Sequence, residues 1–287
     1  MSHSPSESPS PDLNQPDAWI DTYFDQWYAR MFESESLRPL IGEEMALLRA
    51  FLPPAKKGPV LDLGCGFGRH LVELQAAGYE VIGLDRQRPY LLEARKAALR
   101  RDLDTTELIQ GDMRALPLPD KSFSATFMML NTLGPVGARA AWDQAVAGKR
   151  KTPMTPASDP NLGILHEVYR VLMPGGRLLI DLPDRRELLA IIRESPVMEE
   201  TLGDLKVRQT FRFSEAAGVL HNETEFAQAG ERHYRVYYYR VYTRGEIARL
   251  LSKAGLKVLT LEGEKEANLD SWQSRMFVVA GRPRSSD

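Results

Sequence analysis

The sequence predicts an α/β fold, and three observations carry that prediction. Gly58 to Ala77 reads as a short apolar strand, a glycine turn and an amphipathic helix. Two further apolar runs, Tyr79 to Asp85 and Glu107 to Gln110, each end on an acid or just before one, at Asp85 and Asp112. A later tract, Leu205 to Tyr242, alternates apolar and polar residues as antiparallel strands do.

The strand Val60-Leu61-Asp62-Leu63 runs into Gly64, Gly66 and Gly68, one glycine at every second position. Such a turn permits positive φ and close approach of a ligand, because a Cβ would block both. The helix behind it offers free N–H groups and a positive dipole end, suited to phosphate or carboxylate. Asp62 adds a carboxylate at the strand's C-terminal end, where open α/β sheets bind ligands. A pyrophosphate would be repelled there, whereas a ligand with both an amine and a carboxylate would be welcome. A glycine turn alone serves structure as often as it serves a ligand, so the downstream acids decide.

A chain of 287 residues can bury one sizeable core, with or without an appended subdomain. Its net charge of -2 argues against a broad nucleic-acid footprint. No apolar run approaches the ~18 residues of a membrane span, so no membrane partner is expected. Met1 to Pro16 is rich in Ser and Pro without an apolar stretch, and reads as a disordered tail of a cytoplasmic protein. Cys65 is the only cysteine, which excludes an intrachain disulfide and any multi-cysteine metal site. Its glycine neighbours suit a small buried residue better than a nucleophile, and no metal motif is present.

Asp17 to Leu52 has a helical pattern, with Trp19, Ile20, Tyr23, Phe24, Trp27, Tyr28 and Phe32 on one stripe and a second helix from Glu43 to Phe51. It packs on the core edge or covers the ligand as a lid, with Tyr23 or Tyr28 reaching the site. Asp85 lies about 20 residues beyond the glycines, the spacing at which an acid meets the two hydroxyls of a ribose. Pro89 opens the next helix. After the third strand, Asp112 can accept from an exocyclic amine and Met113 can cover a purine face. Ser122 to Leu130 reads as a buried strand, followed by Asn131-Thr132-Leu133-Gly134 and a long, partly helical insertion to Asn161. Ile164 to Leu172 is a helix stopped by Met173-Pro174-Gly175-Gly176, and Arg177 to Leu182 is a fifth strand. Thr243-Arg244-Gly245-Glu246 is a capping box for a helix to Ala254, and Leu256 to Leu261 and Met276 to Ala280 are two late strands.

Taken in order, the stretches Val60 to His70, Val81 to Asp85, Gly111 to Arg114, Asn131 to Gly134, Leu172 to Gly176 and Arg240 to Thr243 resemble the successive signatures of class I S-adenosylmethionine-dependent methyltransferases. The resemblance covers roughly Glu43 to Pro283 and is closest to a small-molecule branch with an inserted antiparallel sheet. It implies a Rossmann-like seven-stranded sheet of order 3-2-1-4-5-7-6, the last strand antiparallel, flanked by helices. The implied organisation is a tail over 1–16, a cofactor-binding core with a helical lid over 17–204, an inserted sheet over 205–242, and completion of the core over 243–287.

By position the resemblance assigns Asp62, Gly64, Cys65, Gly66 and Gly68 to the methionine part of S-adenosyl-L-methionine. Asp85 with Arg86 falls at the ribose, Asp112 and Met113 at the adenine, Leu130 near the methionine amine, and Tyr28 on the lid. Gln87 replaces the Ser that often caps the helix after the ribose acid, and Phe123-Ser124 stands where Phe-Asp is frequent.

These features predict an enzyme that moves a methyl group to N or O of a small-molecule acceptor by in-line displacement, a reaction governed by alignment in a desolvated pocket. Asn131, Tyr238, Arg240 and Arg275 are candidate acceptor contacts, and Tyr238, His221 and His166 are candidate bases that no spacing marks. The absence of Asn-Pro-Pro-Tyr after the fourth strand argues against methylation of a base's exocyclic amine or a glutamine amide. The alternative is a non-catalytic module of the same fold that binds the cofactor or a partner. A nicotinamide oxidoreductase would want the third glycine one residue later and gives Asp62 no role. The oligomeric state is open, a homodimer included.

Overall fold

In chain order, the computed structural model comprises α1 (Trp19–Tyr23), α2 (Gln26–Phe32), α3 (Leu40–Phe51), β1 (Val60–Leu63), α4 (Arg69–Ala76), β2 (Val81–Asp85), α5 (Arg88–Leu99), β3 (Glu107–Gln110) and β4 (Phe123–Met128). Next come α6 (Ala138–Val146), α7 (Asn161–Val171), β5 (Leu172–Pro183), α8 (Arg185–Glu194), β6 (Val197–Leu202), β7 (Leu205–Ser214), β8 (Val219–Gln228) and β9 (Glu231–Arg240). The chain closes with α9 (Arg244–Lys253), β10 (Lys257–Gly263) and β11 (Arg275–Gly281). The structure describes residues 17–32, 40–103, 106–152, 154–263 and 275–284, so the tail expected over 1–16 lies outside the described residues.

The central sheet has the order β3-β2-β1-β4-β5-β11-β10. β1 to β5 run parallel, while β11 is antiparallel to both β5 and β10. This is the expected 3-2-1-4-5-7-6 order, with β10 and β11 as sixth and seventh strands. Period-two alternation sends Leu61, Leu63, Leu178 and Ile180 to a core under α7 and α9, and Val60, Ala125, Phe127 and Leu179 to a second core under α3, α4 and α5. Burying strands on both faces is what forces their nearly continuous apolar runs.

A second, antiparallel sheet, β6-β7-β8-β9, stands between β5 and α9 in the chain. It begins at Val197, earlier than the boundary at 205 read from alternation. β6 is an exposed edge strand, Val197-Met198-Glu199-Glu200-Thr201-Leu202, whose paired acids mask the period-two signal. The opposite edge strand, β9, is covered by α1 and α6, which removes an open pairing edge.

Three other elements differ from the sequence reading. The aromatic helix is broken in two, because the Asp25 carboxylate accepts from the Trp27 and Tyr28 N–H groups at 2.9 and 3.4 Å and restarts the helix as α2. The segment Met173 to Gly176 is no connector but the bulged start of β5, with its register shift opposite Phe123 to Ala125. α8 was not foreseen, although Asp184 caps it by accepting from the Arg186 N–H at 3.0 Å. The capping box at Thr243 forms both of its bonds: Glu246 N–H to Thr243 Oγ1 at 3.2 Å and Thr243 N–H to Glu246 Oε2 at 2.9 Å.

Candidate active site

The carboxyl ends of β1, β2, β3 and β4 share one edge of the sheet, and the chain order reverses between β1 and β4. Open α/β sheets bind ligands in the crevice at such a switch point. Here one wall is the glycine turn and the other is the turn Leu130-Asn131-Thr132. The walls touch at Gly64, where a Cβ would lie 2.6 Å from Thr132 Cγ2. Gly66, at φ +52, has nothing within 4 Å of its missing Cβ, so the turn's middle faces open space.

Asp62 and Asp85 set the charge of this crevice. Asp62 is buried, and its Oδ2 has no hydrogen-bond partner. Burial, and secondarily the Asp85 charge, hold its carboxyl well above the usual carboxylate range. Asp85 accepts from the Gly66 N–H through Oδ2 at 2.9 Å and from the Gln87 N–H through Oδ1 at 2.8 Å, so it fixes the turn while its remaining lone pairs stay available. Burial raises its pKa, and these backbone donors partly offset the rise. Gln87 does not cap α5 with its side chain, which instead reaches Asp21 at 3.2 Å. Cys65 is buried and its thiol pushed up, first by burial, which makes it a packing residue. Gly68 is the left-handed cap of α4.

At the outer rim both Asp112 oxygens accept from Arg114, with Nε at 3.0 Å from each. Burial would raise the Asp112 pKa, but the Arg114 hydrogen bonds bring it below the ordinary value. Met113 is half-buried against the main core. Arg86 points back to the lid, its Nε 2.7 Å from Asp21 Oδ1, with Nη1 3.9 Å from Asp112. Asp17, Asp21 and Asp25, four residues apart, pair with Arg114 (2.9 Å), Arg86 and Arg235 (Nε, 2.9 Å), and thus fasten the N-terminal segment to the ends of β2 and β3 and to β9.

The N-terminal helices cluster their aromatic rings on β9. Tyr23 lies 5.4 Å from Tyr28 and 4.8 Å from Tyr237, and Phe24 lies 4.7 Å from Tyr28, centroid to centroid. Tyr28 sits near enough to Asp85 that this charge, after burial and the charges of Tyr23, Tyr237 and Tyr90, helps hold its phenol well above 10.0. Burial pushes Tyr23 up to about 12 despite a hydrogen bond to Thr224. Beneath these rings the buried Thr224 hydroxyl donates to Asn222 Oδ1 at 3.2 Å. Sequence reasoning missed Asn222 and Thr224, although two polar residues at the inward positions of an alternating strand were the available signal.

The second wall is strained and held. Leu130 and Asn131 both have positive φ, +54° and +62°, at a cost of order 1–3 kcal/mol each. Three bonds over-determine the turn: the Leu130 N–H to Asp181 Oδ2 at 2.7 Å, the Asn131 N–H to the Asp181 carbonyl at 3.3 Å, and the Thr132 hydroxyl to the Met129 carbonyl at 2.7 Å. The Asn131 side chain is exposed at the mouth.

Several candidate residues sit elsewhere. Arg240 is fully buried, its Nη1 donating to the Gly218 and Val241 carbonyls and its Nη2 3.1 Å from Glu246, so it is no acceptor contact. Arg275 is also buried, bonded to Asp181 and Glu44 rather than open to an acceptor. Tyr238 lies on the sheet face opposite Tyr237, packed on His221 at 5.0 Å and Trp142 at 6.4 Å. Burial raises its pKa and lowers that of His221, and the ring of Trp19 also packs on Tyr238 at 5.4 Å. His166 is exposed on α7. Alternation along β8 and β9 thus puts Tyr238 and His221 on the sheet face opposite Tyr237.

A surface cleft of about 630 Å³ opens elsewhere, at the starts of α8 and α9. Its arginines Arg185, Arg186, Arg193 and Arg244 are paired with Glu215, Glu187 and Asp184. Among the described residues no cluster of His, Cys, Asp or Glu could hold a metal ion, and no helix is long and apolar enough to cross a membrane.

The crevice fits an adenosyl amino acid. A buried carboxylate oxygen without a partner suits a ligand that brings an ammonium, and the open Gly66 face leaves room for it. A second acid held by the turn suits hydroxyl donors.

Comparison with known proteins agrees with this geometry. Residues 60–148 match the family described as a methyltransferase domain. The chain is 24% identical over 242 residues to a putative methyltransferase, YqeM, of Bacillus subtilis, covering 83% of this chain and 89% of that one. Other curated methyltransferases align over less than half of their length. Among solved structures, the CcbJ methyltransferase from Streptomyces caelestis superposes with TM-score 0.67 at 20% identity, over 92% of this chain and 96% of that one. S-adenosylmethionine-bound CalS10, an amino pentose methyltransferase from Micromonospora echinaspora, gives 0.58 at 22% identity, over 91% and 98%.

Proposed function

We propose that the chain, whose residues 60–148 match a methyltransferase domain, is a class I S-adenosylmethionine-dependent methyltransferase that transfers the methyl group to N or O of a small molecule seated under the aromatic N-terminal helices, with nitrogen the better fit. The observation that carries the reading is the buried Asp62 carboxylate, one oxygen without a hydrogen-bond partner, two residues before the open glycine turn. The acceptor side is argued from this chain's own residues, because the family match covers only residues 60–148.

S-adenosylmethionine supplies a methyl carbon on a positively charged sulfur and a neutral thioether leaving group. In this reading Asp62 and the turn from Gly64 to Gly68 hold the amino-acid end, and the Leu130 backbone lines the same pocket. Asp85 accepts from ribose hydroxyls, while Asp112 and Met113 flank the adenine beside Arg86. Tyr28, Tyr23 and Tyr237 exclude water above, where a desolvated pocket strengthens attack on a cation. Asn222, Thr224 and Asn131 offer the acceptor its polar contacts.

Nitrogen is favoured because Tyr238 and His221 share the sheet face opposite Tyr237 and His166 is exposed on α7. An alcohol needs its proton removed during attack, whereas an amine reacts as its free base. The reading is compatible with a cytoplasmic enzyme.

A screen of primary and secondary amines against alcohols, with S-adenosylmethionine and mass detection of methylated products, tests it. Turnover confined to amines is expected. Cofactor binding without any product across both sets would instead support the non-catalytic alternative.

A further inference from the structure

We propose that Arg275 is a positioning residue that sets the spacing between the two walls of the cofactor crevice. The proposal rests on the reading that this crevice holds S-adenosylmethionine.

Arg275 opens β11, and its guanidinium is bonded to two buried carboxylates. Its Nε donates to Asp181 Oδ1 at 2.9 Å and its Nη2 donates to Asp181 Oδ2, a two-bond fork on one carboxylate. That same Oδ2 accepts the Leu130 N–H at 2.7 Å. Toward the other wall, Arg275 Nη1 donates to Glu44 Oε1 at 2.9 Å. Glu44 Oε2 then meets His70 Nε2 at 2.9 Å and the Arg69 guanidinium. Arg69 and His70 are the first two residues of α4, directly after the glycine turn.

One chain of ionic bonds therefore runs from the strained Leu130-Asn131 turn to the helix behind the glycine turn. Its central members are buried: Glu44 is 2% exposed, Asp181 1%, His70 4% and Arg275 8%. Among the described residues two carboxylates meet two guanidiniums, and burial lowers the His70 pKa. A packing role alone would be served by apolar side chains, and buried ion pairs are weak sources of stability. What the cluster adds is geometric definition at the place where the amino-acid end of the cofactor would be gripped from both sides.

Arg275→Lys tests this. Lysine keeps the charge but has no planar fork, and it cannot hold Asp181 and Glu44 together. Calorimetry with S-adenosylhomocysteine should show about tenfold weaker binding or worse, the equivalent of one lost charge-assisted bond. Amide exchange at Leu130 in the ligand-free protein should accelerate, while amides of α9 exchange as in the wild type. Asp181→Asn, which can still accept from Leu130 but loses half the fork, should move both readouts in the same direction by less, and serves if the lysine variant does not fold.

Affinity within about twofold of wild type, with unchanged Leu130 exchange, would overturn the proposal. If the wild type itself bound no S-adenosylhomocysteine, the cofactor reading would fall, and the exchange comparison alone would still decide whether Arg275 holds the turn.

Discussion

Replacing Asp62 with asparagine should push stability and binding in opposite directions. In the ligand-free protein the carboxylate is buried, one oxygen lacks a partner, and burial with the nearby Asp85 raises its pKa well above 3.8. A group whose folded pKa is raised favours folding most below its unfolded pKa, and that contribution is lost as pH rises through the folded value. At neutral pH Asp62 therefore costs stability, and Asp62→Asn should melt at a higher temperature than wild type. The difference should shrink as pH falls toward the unfolded carboxylate value. Binding should change the other way, because the variant can accept from the cofactor's ammonium but no longer as an anion. A charge-assisted hydrogen bond contributes ~1.5–3 kcal/mol, so affinity for S-adenosylhomocysteine should drop about 10- to 100-fold. Thermal melts with and without ligand read both effects in one series. A variant that melts lower when ligand-free, or that keeps its full ligand-induced shift, would refute the reasoning.

Two further outcomes follow from other residues of the site. Gly66→Ala adds a methyl where nothing lies within 4 Å, so the ligand-free protein should lose only ~1 kcal/mol to the positive φ. Its affinity for S-adenosylhomocysteine should fall much further, and calorimetry beside a denaturant melt separates the two. For Glu44, burial raises the pKa but the His70 hydrogen bond, the His70 and Arg69 charges and Arg275 bring it down from 4.5 to about 2. A depressed carboxylate stabilises above its unfolded pKa and loses that contribution as pH falls through the folded value. Glu44 thus contributes up to ~3 kcal/mol that disappears between about pH 4.5 and 2. Glu44→Gln should flatten that part of the acid-unfolding profile, and an unchanged profile would contradict the pairing.

What could be read from the sequence was local. The strand, glycine turn and helix at Val60 to Ala76, the capping box at Thr243 and the acids Asp62, Asp85 and Asp112 are spelled by neighbours in the chain, and each sits at the expected place in the fold. The bridge from Glu44 to Arg275 joins residues 231 apart, and that from Arg275 to Asp181 joins residues 94 apart. No periodicity announces such contacts, so the sequence offers Arg275 as a candidate acceptor contact. Tyr238 and His221 stay unmarked for a related reason: alternation says that a residue faces one side of a sheet but not which side holds the crevice. The break at Asp25 shows a side chain competing with the helix it was expected to continue.

The central claim, that the turn from Asp62 to Gly68 serves an adenosyl amino acid, is tested most directly by titrating S-adenosylhomocysteine into the purified protein in a calorimeter, with NADH as the parallel ligand. The account predicts saturable one-to-one binding of S-adenosylhomocysteine and none of NADH. Binding of NADH, or no heat from S-adenosylhomocysteine, would contradict it.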